Sequence, residues 1–212
     1  MISDTHSQHR QLKNMPEADI LIHAGDICNY GTPEEVADFN NWIECLQYKK
    51  KIVIAGNHDK YLSSIPVQEI NKTLLDNTIY LENSSIEIGG KLFWGSPITP
   101  RFMNWYFMED RGEKIRRYWE LIPDNTEVLI THGSPYGILD NILRANGDIG
   151  DSVGCFDLLQ RIRQLKKLKL HCFGHIHNQY GMHRNNDGII FVNASSANED
   201  YEIVNQPIVI EI

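Results

Sequence analysis

The chain has 212 residues, 42% of them hydrophobic and 23% charged, with a formal net charge of -8. That composition supports one globular domain over residues 1–212 with a sizeable core, in which two full domains would be crowded. The negative balance repels polyanions over the general surface and excludes loose binding to bulk nucleic acid or acidic lipid, while an anionic substrate stays open wherever bound cations reverse the sign locally.

In chain order, the opening "MISDTHSQHR" lacks the basic-then-apolar layout of a signal peptide, and no apolar run approaches the roughly 20 residues of a membrane helix. A cytoplasmic protein with no membrane partner is expected. Strands are expected at "DILIHAG", "KKIVIAGN", "IYLENSSIEIGG", "KLFWGSP", "TEVLITHGS", "LKLHCFGH", "GIIFVNAS" and "PIVIEI", each a short apolar run. Between the first two lies "TPEEVADFNNWIECLQY", where Thr32 as N-cap, Pro33 at the first helical position and Glu35 three residues after the cap have the layout of a capping box. Two more helices are expected at "RGEKIRRYWELI" and "GCFDLLQRIRQLKK", whose apolar residues recur at helical spacing.

Several strands are nearly continuous apolar runs, which implies burial on both faces and an α/β fold with helices packed over sheet. The hairpin signals "EIGGKL" and "NNDGII" favour a mixed sheet or two packed sheets over a purely parallel one. There is no internal repeat, low-complexity tract or Gly/Ser linker. Cys28, Cys45, Cys155 and Cys172 form no C-x-x-C pair and read as reduced thiols, with Cys155 and Cys172 in the core.

Five apolar runs end at small clusters of metal-ligating residues: "MISDTH", "LIHAGD", "IVIAGNHD", "LITHG" and "HCFGHIH". Sites in open α/β sheets sit at the carboxyl ends of strands, so clusters scattered in sequence can converge in space. Asp4 and His6 are two apart, as are His175 and His177, and on extended strands such pairs project to one face. Carboxylate, amide oxygen and imidazole suit borderline divalent ions, and a shared carboxylate can hold two of them close together. Gly25, Gly56, Gly133 and Gly174 each adjoin a proposed ligand, permitting close backbone approach. Taken singly, D-x-H, G-D or G-N-H-D is an ordinary surface or turn sequence; all five clusters in order are much harder to produce by accident.

Together these motifs resemble the calcineurin-like metallophosphoesterases, whose pattern D-x-H, G-D, G-N-H-[DE], H-G and G-H-x-H is matched by Asp4-Thr5-His6, Gly25-Asp26, Gly56-Asn57-His58-Asp59, His132-Gly133 and Gly174-His175-Ile176-His177. The phrases "HAGDICNYG", "KIVIAGNHD" and "CFGHIHNQYG" resemble the small metallophosphoesterase-domain-containing branch, with brain-expressed animal and bacterial members. The resemblance implies a four-layer αββα fold of two packed mixed sheets flanked by helices. It also implies two divalent ions (Mn²⁺, Fe²⁺/Fe³⁺ or Zn²⁺), one held by Asp4, His6, Asp26 and His177, the other by Asp26, Asn57, His132 and His175. Asp26 would bridge them. His58 would be the catalytic side chain, stabilising the transition state or protonating the leaving group, a task its near-neutral imidazole suits; Asp59 would orient it or be a surface turn carboxylate.

The implied reaction is hydrolysis of a small phosphoester, a nucleotide by analogy with the branch, through in-line attack of a metal-bridging hydroxide. A diester substrate is preferred, with a cyclic nucleotide as the example; a phosphomonoesterase or protein phosphatase and a non-catalytic nucleotide-binding module are the alternatives. The sequence departs from the wider family in having Ile27-Cys28-Asn29-Tyr30 where many relatives carry an acid after G-D, and in having only Met1, Ile2 and Ser3 before Asp4.

Of the remaining histidines, His23 is expected to support the ligands and His9 to approach the phosphate; His171 and His183 are expected to have no chemical role. The long loop "SPITPRFMNWYFMEDRGEK" offers Arg101 for a phosphate, Asn104 as a further polar contact, and Trp105 or Phe102 for a base, although its aromatics equally suit closing the core. The Gly- and Asp-rich "SPYGILDNILRANGDIGDSVG" is expected to be a mobile surface wall near His132.

Overall fold

A computed structural model describes residues 1–144 and 146–212. Its smaller sheet comprises β1 (Ile20–Ala24), β2 (Lys50–Ile54) and β3 (Ile79–Tyr80), all parallel, with Ile2 bridged to His23 at its edge. Between β1 and β2 runs α1 (Pro33–Glu44), opened by the expected capping box: Glu35 N donates to Thr32 Oγ1, and Thr32 N donates to the Glu35 carboxylate. The short helix α2 (Val67–Glu69) continues into a π turn over Ile70–Leu74 before β3. No apolar periodicity in the sequence had marked that segment.

The larger sheet is built from β4 (Ser84–Ile88), β5 (Lys91–Ser96), β8 (Val128–Thr131), β11 (Leu170–Phe173), β12 (Gly181–Arg184) and β13 (Ile190–Asn193). Their order across it is β12-β13-β11-β8-β5-β4. The four inner strands are parallel and the two edge strands β4 and β12 antiparallel, because each edge is folded back by a hairpin. Mixed strand direction is therefore confined to this sheet. The helices α3 (Glu113–Trp119) and α4 (Phe156–Ile162) cover its outer face.

Alternation along the strands determines the layers. Ile22, Ala24, Ile52 and Ile54 face Phe93, Val128, Ile130, Leu170, Cys172 and Val192 in a buried seam between the sheets. The intervening residues point outward: Leu21 and Val53 meet Phe39, Trp42 and Ile43 of α1, while Trp94, Leu129, Phe173 and Phe191 meet Ile115, Trp119, Leu158 and Ile162 of α3 and α4. This is the expected αββα stack. Cys155 and Cys172 are buried and all four cysteines are free thiols.

Several expectations need correction. "PIVIEI" is not a strand: Ile208 exchanges backbone hydrogen bonds with Met1, and Ile208 and Ile210 pack on the seam, but no ladder forms. Its alternation reflects packing against a groove instead of pairing. Within the long loop, β6 (Thr99–Pro100) pairs in parallel with β7 (Met108–Glu109). The Gly- and Asp-rich segment, expected as a mobile surface wall, contains an antiparallel pair, β9 (Asn141–Leu143) and β10 (Ile149–Ser152). Ala145 lies outside the described residues. Among the described residues, no helix is long and apolar enough to cross a membrane.

Candidate metal centre

Strands from both sheets end at one place. Asp26 follows β1, Asn57 follows β2, His132 directly follows β8 and His175 follows β11, so the carboxyl ends of the two sheets supply the site jointly. Asp4 reaches it from a segment stitched to the β1 turn, where Asp4 N donates to Gly25 O and Thr5 and His6 donate to Asp26 O. The side chains of Asp4, His6, Asp26, Asn57, His132 and His175 are brought together with His58 and His177, which lie beside them.

The D-x-H and H-x-H pairs do not achieve this as extended strands. Asp4, His6, Asp26 and His175 have φ of 51°, 43°, 55° and 70°, left-handed values that turn each side chain inward where a strand would carry it past. Such conformations cost of order 1–3 kcal/mol each and persist where surrounding hydrogen bonds over-determine them. Here Asp4 accepts from His175 N with both carboxylate oxygens, at 3.1 and 3.0 Å, and Asp26 accepts from His58 N at 2.8 Å. The glycines matter for space: a Cβ on Gly174 would strike the Asp4 carboxylate, and one on Gly56 would strike Asp26.

Three clusters result, Asp4/His6/His177, His6/Asp26/His58 and Asp26/His132/His175; the middle one shares His6 with the first and Asp26 with the last, and His6 Nε2 lies 4.0 Å from Asp26 Oδ2. His132 Nδ1 donates to Ala24 O, so a neutral ring directs its Nε2 lone pair at Asn57 Oδ1, 3.0 Å away, and at Asp26 Oδ2, 3.2 Å away. Three acceptors converging on one point call for a proton or a cation. Likewise His177 Nδ1 donates to Asn198 O, leaving Nε2 facing His6 Nε2 at 3.2 Å and Asp4 Oδ1 at 3.6 Å. The donor set and the glycine clearances fit divalent ions.

The electrostatics agree. Burial pulls the His132 imidazole down, but the Asp26 carboxylate, with Asp4 and the Ala24 carbonyl, outweighs it and holds the pKa up at about 9. His177 is raised in the same way by Asp4 against burial. His6 and His175 are pushed down to about 4 and about 3 by burial, and stay neutral at physiological pH. Burial raises the Asp4 and Asp26 carboxyls, yet the adjacent histidines hold both well below the usual range. In the metal-free chain, a proton on His132 stands in for a cation.

His58 lies within reach of His6 and Asp26, close enough to join a ligand cluster, and its ring is fixed by two contacts. Its Nδ1 donates to Asn29 O at 2.7 Å, and the Trp105 indole stacks on it with centroids 4.3 Å apart and planes at 27°. Asp59 neither orients it nor lies on the surface. The Asp59 carboxylate is buried and accepts from Ile27, Cys28 and Gly56 N, tying the β1 and β2 loops together; burial and Asp26 raise its pKa to about 7. The loop lacking an acid after Gly25-Asp26 is supported from α1, since Glu35 accepts from Asn29 and Tyr30 N and from the Ser7 hydroxyl.

The expected substrate residues fare differently. Trp105 sits at the site, but Arg101 is engaged by Asp110 and Glu109, and its guanidinium points along the β6–β7 loop. Asn104 is exposed and does not line the cavity. His9 is fully buried against Phe39 and Trp42 with Nε2 3.0 Å from Asp38, because the turn after His6 drives it under α1. His23 bonds Thr5 Oγ1 at 2.9 Å and so supports the Asp4–His6 turn. His171, expected to have no chemical role, is buried and hydrogen-bonded to Thr131 Oγ1 at 2.8 Å, directly before His132; His183 is exposed.

Sequence reasoning missed Tyr201, whose ring packs 4.7 Å from His6 and 5.2 Å from His177, and Asn198, which accepts from His177 Nδ1. Both lie in a turn with no ligand spacing; the positive φ of Tyr201, invisible in sequence, is their clearest mark. A cavity of about 450 Å³ opens over Asp26, Asn57, His58, His175 and His177. Phe102, whose ring lies 5.2 Å from that of His175, and Ile142, Leu143 and Val153 give it apolar lining, together with Arg111.

The calcineurin-like phosphoesterase family profile matches residues 1–179. The chain belongs to that family. Human metallophosphoesterase domain-containing protein 1 is 38% identical over 233 residues, covering 100% of this chain and 69% of that protein. A UPF0046 protein of Caenorhabditis elegans is 35% identical over 227 residues, covering 100% of this chain and 73% of its own. Among solved structures, the protein TT1561 of Thermus thermophilus superposes with a TM-score of 0.60 at 14% identity over 91% of this chain and 86% of that one, a likeness of fold alone. As a calcineurin-like phosphoesterase with His and Asp groups able to hold metal, the chain has the equipment of a metal-dependent phosphoric ester hydrolase.

Proposed function

We propose that this calcineurin-like phosphoesterase hydrolyses a small phosphodiester, with cyclic nucleotides as the leading class, at a centre of two divalent ions. Asp4, His6 and His177 would hold one ion, Asn57, His132 and His175 the other, and Asp26 would be shared. The observation that carries this reading is the convergence on Asp26 of lone pairs from both sheets, with His6, His132 and Asn57 aimed at a common space. When bound, such ions supply Lewis acidity toward the phosphoryl oxygens and a water-derived nucleophile near neutral pH.

The chain's own residues do the rest. Asn29 O fixes the proton on His58 Nδ1, which leaves Nε2 as the free ring nitrogen. Protonated there, it delivers a proton to the departing ester oxygen. Trp105 covers one face of that ring and limits its access to water. The apolar wall of Phe102, Ile142, Leu143 and Val153 accommodates a second ester substituent, which a monoester would leave unfilled.

The test is a comparison of bis(p-nitrophenyl) phosphate with p-nitrophenyl phosphate, with Mn²⁺ supplied. A higher kcat/KM for the diester supports the reading. Faster monoester turnover overturns it in favour of a phosphatase, and binding of phosphate without turnover of either ester favours a regulatory module.

A further inference from the structure

We propose that Arg111 forms an anion subsite in the active-site cavity, one that takes a second negatively charged oxygen group of the substrate while the phosphoester occupies the Asp26 end; this rests on the phosphoesterase reading above. Arg111 is the single lysine or arginine among the residues lining the cavity. Arg111 pairs with no carboxylate among the described residues; Arg163 and Arg184 also lack one, but neither lines the cavity, whereas Arg10, Arg101, Arg116, Arg117, Arg144 and Arg161 are each paired. The other charged groups of the lining are Asp26, beside the histidines, and Glu199, on the Tyr201 side.

The Arg111 guanidinium donates from Nη1 to Gly154 O at 2.7 Å and from Nη2 to Val153 O. Neutral carbonyls fix its position without cancelling its charge. A guanidinium has five N–H donors, so Nε and the second hydrogen on each terminal nitrogen remain. The backbone is held too, for Arg111 lies between β7 and α3 and Gly112 N donates to the Asp157 carboxylate at 3.1 Å. A pre-placed, uncompensated fork of donors beside an apolar wall matches a carboxylate or phosphate attached to an apolar or aromatic body. The buried Ser134 hydroxyl, which has no hydrogen-bond partner, belongs to the same lining and is a further donor.

The experiment is calorimetric titration of the full chain, loaded with Mn²⁺, by ligands matched in pairs: 3-phosphonopropionate against propylphosphonate, and 4-phosphonobutyrate against butylphosphonate. Within each pair the phosphonate head and tether are shared, and a carboxylate replaces a methyl group. The carboxylated member of at least one pair is expected to bind about tenfold more tightly, equal to about 1.4 kcal/mol. Arg111→Gln should abolish that preference, and Arg111→Lys should retain a reduced one. Equal affinities within both pairs, or a preference that survives Arg111→Gln, overturn the proposal while leaving the phosphoesterase reading standing. Should Arg111→Gln fail to fold, an undiminished preference in Arg111→Lys overturns it. If no phosphonate binds the loaded wild-type chain, both readings fall.

Discussion

Substituting Gly56 by alanine isolates the packing requirement of the metal centre. Gly56 has an ordinary φ, so the added methyl brings no backbone penalty, but its Cβ would stand 2.6 Å from His132 Cε1 and 2.6 Å from Asp26 N, and would collide with Asp26 Oδ1. Ordinary contact begins at 3.4 Å, so His132 or the Asp26 turn must retreat by about 0.8 Å. Metal–ligand distances tolerate only about 0.2 Å. The displaced groups belong to the proposed ligand set, so metal affinity should fall at least as far as when a residue supporting a ligand is lost, about 10–100-fold. Overpacking of this kind costs about 1–3 kcal/mol, or roughly 2–4 °C in Tm per kcal/mol for a chain of this size. The assay is calorimetric metal titration beside thermal melting of the metal-free protein. Wild-type metal affinity in a correctly folded Gly56→Ala variant would refute the claim that these side chains surround a metal.

Other outcomes follow from the same geometry. Replacing His58 by Gln should lower turnover about 10²–10⁴-fold, the usual contribution of general acid–base catalysis, with metal content measured by elemental analysis nearly unchanged; loss of both would make His58 a ligand. His132 is raised to about 9 from an unfolded value near 6.5, so its contribution to the metal-free chain is full below pH 6.5 and is lost as pH rises through 9. The melting temperature of metal-free protein should therefore fall between pH 7 and 9, and metal-loaded protein, in which His132 carries no proton, should lack that slope. Thr131→Val removes the His171 hydrogen bond at nearly constant volume and should weaken metal binding through His132, read by titration; unchanged affinity would make that pair a packing contact only.

Much of the architecture was legible because burial leaves a direct imprint on sequence. Nearly continuous apolar runs such as "LIHA" and "KIVIA" mark strands with two covered faces, and Thr32, Pro33 and Glu35 begin α1 as capping chemistry requires. The proposed ligand cluster was legible for another reason: metal-ligating residue types are rare at strand ends, so their recurrence stands out. What sequence could not convey is direction. Nothing in "DTH" or "HIH" specifies that Asp4, His6 and His175 adopt positive φ, since hydrogen bonds from distant backbone impose it. Arg101 and His9 illustrate the same limit, because a cation or imidazole near a motif is claimed by whichever carboxylate the fold brings nearest, here Asp110 and Asp38. Tyr201 and Arg111 reach the cavity through tertiary packing and leave no periodic trace.

The central claim is that two ions share Asp26. Crystals of Mn²⁺-loaded protein measured for anomalous scattering test it most directly. The account predicts two peaks about 3.5–4 Å apart, one beside Asp4, His6 and His177 and the other beside Asn57, His132 and His175, with Asp26 between them. A single peak, or peaks away from Asp26, would contradict it.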